Sequence, residues 1–328
     1  MIILLSAAAL AFSVLSYVLL DGTDLGVGIL LGLTPCPERR RVMAVSILPI
    51  WDANETWLVL GGGGLLALFP LAYAVLLPAL YLPFIAMSLA LIIRAMALEF
   101  RDYADNAYIK RRIDGLHLCA SVIAGGCQGA ALGTLVQGVS NQNNEFIGTG
   151  WEWASPFALY CSVVLVVGYA WLGACWLYWR TESALQQTSR WQAQILAVVT
   201  VVLMTVLLIW TSTLNPDYAQ RLKMPVVMYS TVGVSLTASL AFWISFRARY
   251  DVLPLVCALS LFVLGFALMV ITIFPFIVPP NLTLKAAASS ATSQKFMLVG
   301  FAILMPVIFF YNTFGFRVFS GKTQSARS

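Results

Sequence analysis

The sequence has few charged residues and a single histidine, and these shortages exclude most soluble functions. Charged residues make up 10% of the 328 positions, hydrophobic residues make up 60%, and the mean hydropathy is +0.87. Such a composition excludes an ordinary soluble domain. No long polar stretch separates the apolar segments. We therefore expect a single membrane domain over residues 1–319 and a short basic cytoplasmic tail over 320–328.

Several kinds of reactive site are also missing. One histidine, His117, cannot supply a bis-histidine haem site, so a core or interface histidine is favoured over a haem ligand. The six cysteines are scattered without a C-x-x-C pair, which is typical of small apolar packing residues and not of a metal site or disulfide. Phosphate-cradling glycine motifs and nucleophile elbows are absent as well. We expect neither a metal nor nucleic acid to bind this chain.

What the sequence does contain is a series of apolar segments of membrane-spanning length. A helix needs about 20 apolar residues to cross the hydrocarbon. The pattern predicts an all-α polytopic membrane protein of about nine transmembrane helices, arranged as two four-helix bundles and one peripheral helix. The first segment lacks a basic start and a cleavage pattern, so we interpret it as a retained helix. The segments are 2–33, 42–69, 70–98, 116–138, 156–179, 191–213, 225–246, 253–279 and 293–317.

The basic residues predict the orientation of these spans. With the N-terminus outside, the inner loops and tail hold fourteen of the 19 basic residues, the outer loops hold four, and Arg94 lies within a span. Cytoplasmic loops carry the excess of Lys and Arg, so this orientation is favoured, with the C-terminus in the cytoplasm. The fourteen are Arg39, Arg40, Arg41, Arg101, Lys110, Arg111, Arg112, Arg180, Arg190, Arg247, Arg249, Arg317, Lys322 and Arg327.

Two acids, Asp21 and Asp24, lie near the inner end of the first span. They are three residues apart and can face the same side of a helix. One interpretation is a polar helix end at the membrane interface. The other is a buried site, because Gly22 between them allows another backbone to approach closely. An acid within the hydrocarbon usually faces the bundle interior or a water-filled path.

A second acidic pair, Asp52 and Glu55, lies within the second span. Asp52 comes eleven residues after Arg41, which is about 15 Å along a helix. This is near mid-depth if the helix begins near Arg41 and shallower if it begins later. Trp51 and Trp57 flank the pair and could shield it from lipid. We expect Asp52 to be the strongest candidate for a proton-carrying group, and the alternative is a purely structural polar cluster.

Arg94 is the natural counter-charge for these acids. It lies one or two turns from the inner end of the third span, at a depth similar to theirs. Pairing would lower the cost of burial and keep a neighbouring carboxylate ionised. Alternatively, Arg94 could extend to the cytoplasm as an anchor. Glu99 and Arg101 follow at the interface, where we expect both to be solvated.

A run of four glycines, 61–64, lies inside the second span. Small residues allow close helix packing in a membrane, which is the interpretation we favour. A break in the helix beside a ligand is the alternative.

Two motifs resemble those of a known family. The run Asp21-Gly22-Thr23-Asp24-Leu25-Gly26-Val27-Gly28 resembles the D-G-F-D-x-G-x-G signature of subunit II of cytochrome bd-type quinol oxidases, with Thr23 in place of the usual phenylalanine. The run Trp51-Asp52-Ala53-Asn54-Glu55-Thr56-Trp57-Leu58 is similar to the W-D-x-N-x-x-W-L segment of that subunit. The similarity covers nearly the whole chain, and the short length is similar to that of the cyanide-insensitive branch.

The resemblance implies a haem-free subunit of a bacterial inner-membrane complex that oxidises quinol and reduces O2 to water. Subunit I of such a complex carries the b and d haems, and small accessory subunits occur. Subunit II contributes to proton uptake from the cytoplasm and holds a bound quinone in some members. The residues expected to serve the proton path are Asp21, Asp24, Asp52, Glu55 and Arg94, supported by Trp51, Asn54, Trp57, Gly22 and Gly26.

Two other functions fit the residues alone. Acids within the membrane and a glycine-rich helix are also typical of a secondary transporter or channel that acts alone. A purely structural scaffold is the third hypothesis.

Overall fold

A computed structural model describes residues 1–142, 145–318 and 321–322, so predictions for residues 143–144 and most of the 320–328 tail lie outside the described residues. Helices dominate the described part, as predicted, and two short antiparallel hairpins complete it. The helices are α1 (Ile2–Leu33), α2 (Pro37–Ile47), α3 (Trp51–Leu68), α4 (Pro70–Phe100), α5 (Ala107–Gln137), α6 (Pro156–Arg180), α7 (Ser183–Leu214), α8 (Pro216–Leu222), α9 (Pro225–Ala248), α10 (Leu253–Ile273), α11 (Leu284–Ala287) and α12 (Ala291–Val318). The hairpins pair β1 (Asn141–Gln142) with β2 (Glu145–Phe146), and β3 (Phe276–Val278) with β4 (Leu282–Thr283).

Eight helices in the described part are long and apolar enough to cross a membrane. They are α1, α4, α5, α6, α7, α9, α10 and α12. The chain is therefore a multi-pass membrane protein. Helix α3 is not among the eight, because polar residues fill its first two turns. The total of nine crossings and their orientation remain predictions.

The second predicted span, 42–69, is divided into two helices. Helix α2 ends at Ile47 and α3 begins at Trp51. Pro49 lies in the turn between them, where it lacks an N–H group and its ring would clash with the preceding turn of a continuous helix. The expectation of one unbroken span was therefore wrong, and Pro49 was the available signal.

The glycine run lies inside an unbroken helix. Residues 61–64 all belong to α3, so the alternative of a break at the glycines is wrong. A Cβ atom on Gly64 would lie 2.6 Å from the ring of Phe301 on α12, and one on Gly61 would lie 3.6 Å from Val14 on α1. Close packing is therefore confirmed at Gly64. Gly62 and Gly63 have no such neighbour within 4 Å.

Helix α1 is the centre of the packing. It contacts α3, α5 and α6, while α4 packs on α5, α7 packs on α6, and α9 packs on α10. Helix α12 packs on α3 and α1 and leaves most of its surface exposed. Helix α6 packs along both α5 and α1, so the helices form one continuous group and the division into two four-helix bundles and one peripheral helix stays a prediction.

Glycines allow α1 and α6 to cross at backbone distance. A Cβ atom on Gly26 would overlap the carbonyl of Tyr169, and one on Gly173 would overlap the backbone of Gly26. Small residues at such a crossing are the usual means of close helix packing in a membrane. All residues from Asp21 to Gly32 are buried as a result, so the inner half of α1 is enclosed by protein on every side.

Candidate functional site

Asp21 and Asp24 are buried in the enclosed half of α1. Their side chains are 0% and 1% exposed in the chain. The interpretation of these acids as a polar helix end at the interface is therefore wrong. Burial of two carboxylates without partners would cost several kcal/mol each, so their neighbours decide what they can do.

Arg94 joins three helices at this position. Its Nη1 donates a hydrogen bond to Oδ1 of Asp21 on α1 at 2.7 Å, and its Nη2 donates to Oε1 of Glu55 on α3. The Arg94 residue on α4 is 2% exposed, so it pairs with the acids and does not extend to the cytoplasm. The expected ion pair is thus present, and it is formed with two carboxylates at once.

Asp24 has an amide for a partner. Nδ2 of Asn54 on α3 donates a hydrogen bond to Oδ2 of Asp24 at 2.7 Å, and both residues are 1% exposed. Oδ1 of Asp24, Oδ1 of Asn54 and Oδ2 of Asp21 accept no hydrogen bond from the described residues. The site therefore places three carboxylates close to one guanidinium. It also leaves three buried oxygens free to accept a hydrogen bond.

Asp52 lies outside this buried group. It is in the first turn of α3, directly after the break at Pro49, and its side chain is exposed. Glu55, one turn further on, has a side chain that is 25% exposed. The mid-depth placement of Asp52 assumed a helix that begins near Arg41, and that condition is not met because α3 begins at Trp51. The depth of Asp52 in the membrane stays a prediction.

The two flanking tryptophans have different environments. Trp57 is 1% exposed and packs edge-on against Phe12 at a centroid distance of 5.7 Å. Trp51 is only partly buried, and its Nε1 donates a hydrogen bond to Glu99 at 3.3 Å. Trp57 therefore packs against α1, whereas Trp51 contacts the exposed Glu99 of α4.

His117 packs against the site from α5. It is 3% exposed, and its Nδ1 lies 3.3 Å from the backbone oxygen of Arg94. A Cβ atom on Gly28 would lie 2.6 Å from Nε2 of His117, so α1 occupies the space in front of that nitrogen. The surroundings of the histidine do not fit a haem, and the core interpretation of His117 is the one that the structure supports.

Two further groups of polar residues were missed in the sequence. Asp114 on α5 is buried between Arg101, whose Nε donates to it at 2.6 Å, and Arg40 of α2 at 3.1 Å. Arg101 is therefore buried and paired, whereas we expected it to be solvated. Asp114 fell just before the predicted start of the fourth span at residue 116, so its burial had no signal in the hydropathy pattern.

The second missed group is a set of three polar side chains inside apolar helices. Tyr17, Gln128 and Tyr169 come from α1, α5 and α6, and all three are buried. They form hydrogen bonds with one another next to Asp21. The available signal was Gln128, an amide in the middle of an otherwise apolar span.

Comparison with known proteins identifies the family. Residues 2–319 match the profile described as cytochrome bd terminal oxidase subunit II. The chain belongs to this family. It is therefore a subunit of an oxidoreductase complex that carries haems and includes a partner subunit I. The hypothesis of a transporter or channel acting alone receives no support.

Individual relatives agree with this assignment. The chain is 26% identical over 335 residues to cytochrome bd-I ubiquinol oxidase subunit 2 of Escherichia coli strain K12, covering 90% of this chain and 88% of that protein. It is 33% identical over 196 residues to a probable cytochrome oxidase subunit 2 of Haemophilus influenzae, covering 58% of this chain and 52% of that protein.

A solved structure has the same fold. The bd oxidase from Geobacillus thermodenitrificans includes a chain that matches with a TM-score of 0.77 and 16% identity, covering 97% of this chain and 98% of that one. The all-α membrane fold is thereby confirmed, and the site residues must be judged on their own geometry.

Proposed function

We propose that this subunit carries protons from the cytoplasm toward the O2-reducing centre of a quinol oxidase. Two quinols and one O2 give two quinones and two waters, so the reduction of O2 consumes four protons while quinol oxidation releases four. In this proposal the partner subunit holds the b and d haems in a bacterial inner membrane, and this chain supplies acidic side chains. Ubiquinol is the substrate named for the Escherichia coli relative.

The observation that carries the proposal is the graded burial of the acids around Arg94. Asp52 is exposed, Glu55 is partly exposed, and Asp21 and Asp24 are almost fully enclosed. Asp52 and Glu55 lie on α3, and Asp21 and Asp24 lie on α1, which packs against α3. The order of increasing burial gives the order of transfer: Asp52 first, then Glu55, then Asp24, with Asp21 as the partner of Arg94.

The buried group has more negative than positive charges, and this excess allows it to bind a proton. One guanidinium cannot neutralise three carboxylates in a medium of low dielectric constant, so one proton is favoured in the group. Arg94 contacts Asp21 and Glu55, whereas Asp24 has only the amide of Asn54. In the proposal Asp24 is the acid that holds and passes on this proton, and Arg94 is the partner of the other two acids.

The test is quinol-driven O2 consumption by the complex purified with its haem subunit. Asp24→Asn keeps the shape of the side chain but cannot exchange a proton. It should slow turnover by about tenfold or more at normal haem content, since positioned proton-transfer groups typically contribute about 10²–10⁴-fold. Asp105→Asn, which alters an exposed acid in the turn after α4, should behave like the wild type. Wild-type turnover in Asp24→Asn would falsify the proposal.

A further inference from the structure

Three buried side chains form a hydrogen-bonded chain that ends beside Asp21. The hydroxyl of Tyr169 donates to Oε1 of Gln128 at 2.6 Å, and Nε2 of Gln128 donates to the hydroxyl oxygen of Tyr17 at 2.9 Å. Tyr169 is 0% exposed, Gln128 is 7% exposed and Tyr17 is 3% exposed. The chain crosses three helices, α6, α5 and α1, inside the apolar part of the protein.

The hydrogen bonds in this chain all point the same way. The 2.6 Å distance is typical of O–H···O and the 2.9 Å distance of N–H···O, which supports this orientation of the Gln128 amide. The oxygen of Tyr17 is then used as an acceptor, and its own proton is available to donate. Asp21 follows four residues later on α1, on the same face of the helix as Tyr17.

Asp21 has an acceptor that complements this donor. Its Oδ1 is bound by Arg94, and its Oδ2 accepts no hydrogen bond from the described residues. A buried carboxylate oxygen is stabilised by a hydroxyl donor, either directly or through one bridging water. Tyr17, four residues earlier on the same face of α1, carries such a hydroxyl, and its oxygen already accepts from Gln128.

We propose that Tyr17, Gln128 and Tyr169 are positioning residues of the proton route, which present the Tyr17 hydroxyl to Oδ2 of Asp21. The donor holds the carboxyl group of Asp21 against Arg94, so that the exchangeable proton resides on Asp24. This inference rests on the function proposed above. The three residues do not conduct protons themselves, because a glutamine amide does not readily release a proton.

The packing around the Tyr169 ring holds the hydrogen-bonded set of side chains in position. The Tyr169 ring stacks on Phe262 at a centroid distance of 6.1 Å. A Cβ atom on Gly22 would overlap the same ring. Gly22 therefore provides the space for Tyr169 beside α1, which links the glycine of the acidic motif to the hydrogen-bonded chain.

The experiment removes single hydroxyl groups and follows the pH dependence of the purified complex. Tyr17→Phe should move the acid limb of the pH–turnover profile to higher pH by about one unit, the size expected for loss of one hydrogen bond to a charged group. Tyr169→Phe should move it in the same direction by less. Tyr160→Phe is the matched control, because that α6 hydroxyl donates to the backbone oxygen of Leu203 and not to this chain. The titratable or charged groups around Asp21 are Tyr17 and Asp24 on α1, Glu55 on α3, Arg94 on α4 and Tyr169 on α6, and His117 on α5 packs behind Arg94.

A second measurement separates this inference from the proton-route proposal. Infrared absorption of protonated carboxyl groups, with Asp21→Asn as the reference, reports the protonation of Asp21 without turnover. In Tyr17→Phe the Asp21 band should persist to higher pH than in wild type. An unchanged band and an unchanged acid limb overturn this inference even if Asp24→Asn slows turnover. If Tyr17→Phe fails to assemble, Tyr169→Phe decides by the same two criteria.

Discussion

The Nη1 atom of Arg94 lies 2.7 Å from Oδ1 of Asp21, although 73 positions separate the two residues in the chain. Because Nη2 of the same guanidinium reaches Glu55, one side chain fixes α4 against both α1 and α3. The ion pairs are almost fully enclosed on the arginine side. Arg94 therefore both holds the three helices together and compensates the charge of the buried acids.

Arg94→Ala should prevent normal assembly of the complex. Removing one partner of a buried pair typically costs about 3–5 kcal/mol, because the remaining charges stay buried without compensation. The yield of haem-containing complex and its thermal stability measure the effect. Arg41→Ala, which removes an exposed arginine from α2, should assemble normally. The double variant Arg94→Gln, Asp21→Asn should recover part of the yield, and normal assembly of Arg94→Ala would contradict the expected burial cost.

Asp52→Asn should slow turnover less than Asp24→Asn does. From the sequence we expected the opposite order, but exposed Asp52 can be bypassed by water or by neighbouring Glu99, whereas buried Asp24 cannot. Initial rates of quinol-driven O2 consumption from pH 6 to 9 compare the two variants. A larger loss in Asp52→Asn would show that this acid becomes enclosed in the assembled complex.

His117→Ala should leave the haem absorption spectrum of the complex unchanged. The space in front of Nε2 is filled by α1, and the other ring nitrogen faces the backbone of Arg94. We expect a loss of stability of about 1–3 kcal/mol from the missing side chain and its hydrogen bond. His117→Asn places an amide donor near the position of Nδ1 and should recover part of this loss. Disappearance of one haem band from a fully assembled variant would overturn the assignment.

Reporter fusions should place the ends of α4 and α6 on the cytoplasmic side. Fusions after residues 105 and 185 should give a cytoplasmic signal, and a fusion near residue 145 should give an external one, because Lys and Arg collect in inner loops. The three positions lie in or beside three successive connections between helices, so the signal should change side from each one to the next. A cytoplasmic signal at residue 145 would show that the predicted orientation is wrong.

The sequence predicted the fold class and much of the site, and its failures have local causes. Hydropathy located the apolar helices, and the sequence correctly indicated Arg94 as the counter-charge of the acids, since it pairs with Asp21 and Glu55. The continuous helix expected before Asp52 is divided at Pro49. Proline alone was not decisive, since α4 continues through Pro78 and Pro83. The Tyr17–Gln128–Tyr169 chain depends on how helices rotate against one another, which hydropathy does not report.

The interruption between α2 and α3 has a consequence for hydration. The first N–H groups of any helix have no partner within that helix, and lipid offers none. The amides of residues 51–53 at the start of α3 therefore require water or polar protein groups, whereas the amide of Asn54 already donates to the carbonyl oxygen of Ile50 and the later amides are bonded within the helix. Hydrogen–deuterium exchange should be fast over residues 51–53 and slow over 57–67. The residue at which exchange changes from fast to slow would mark how far bulk solvent reaches along α3.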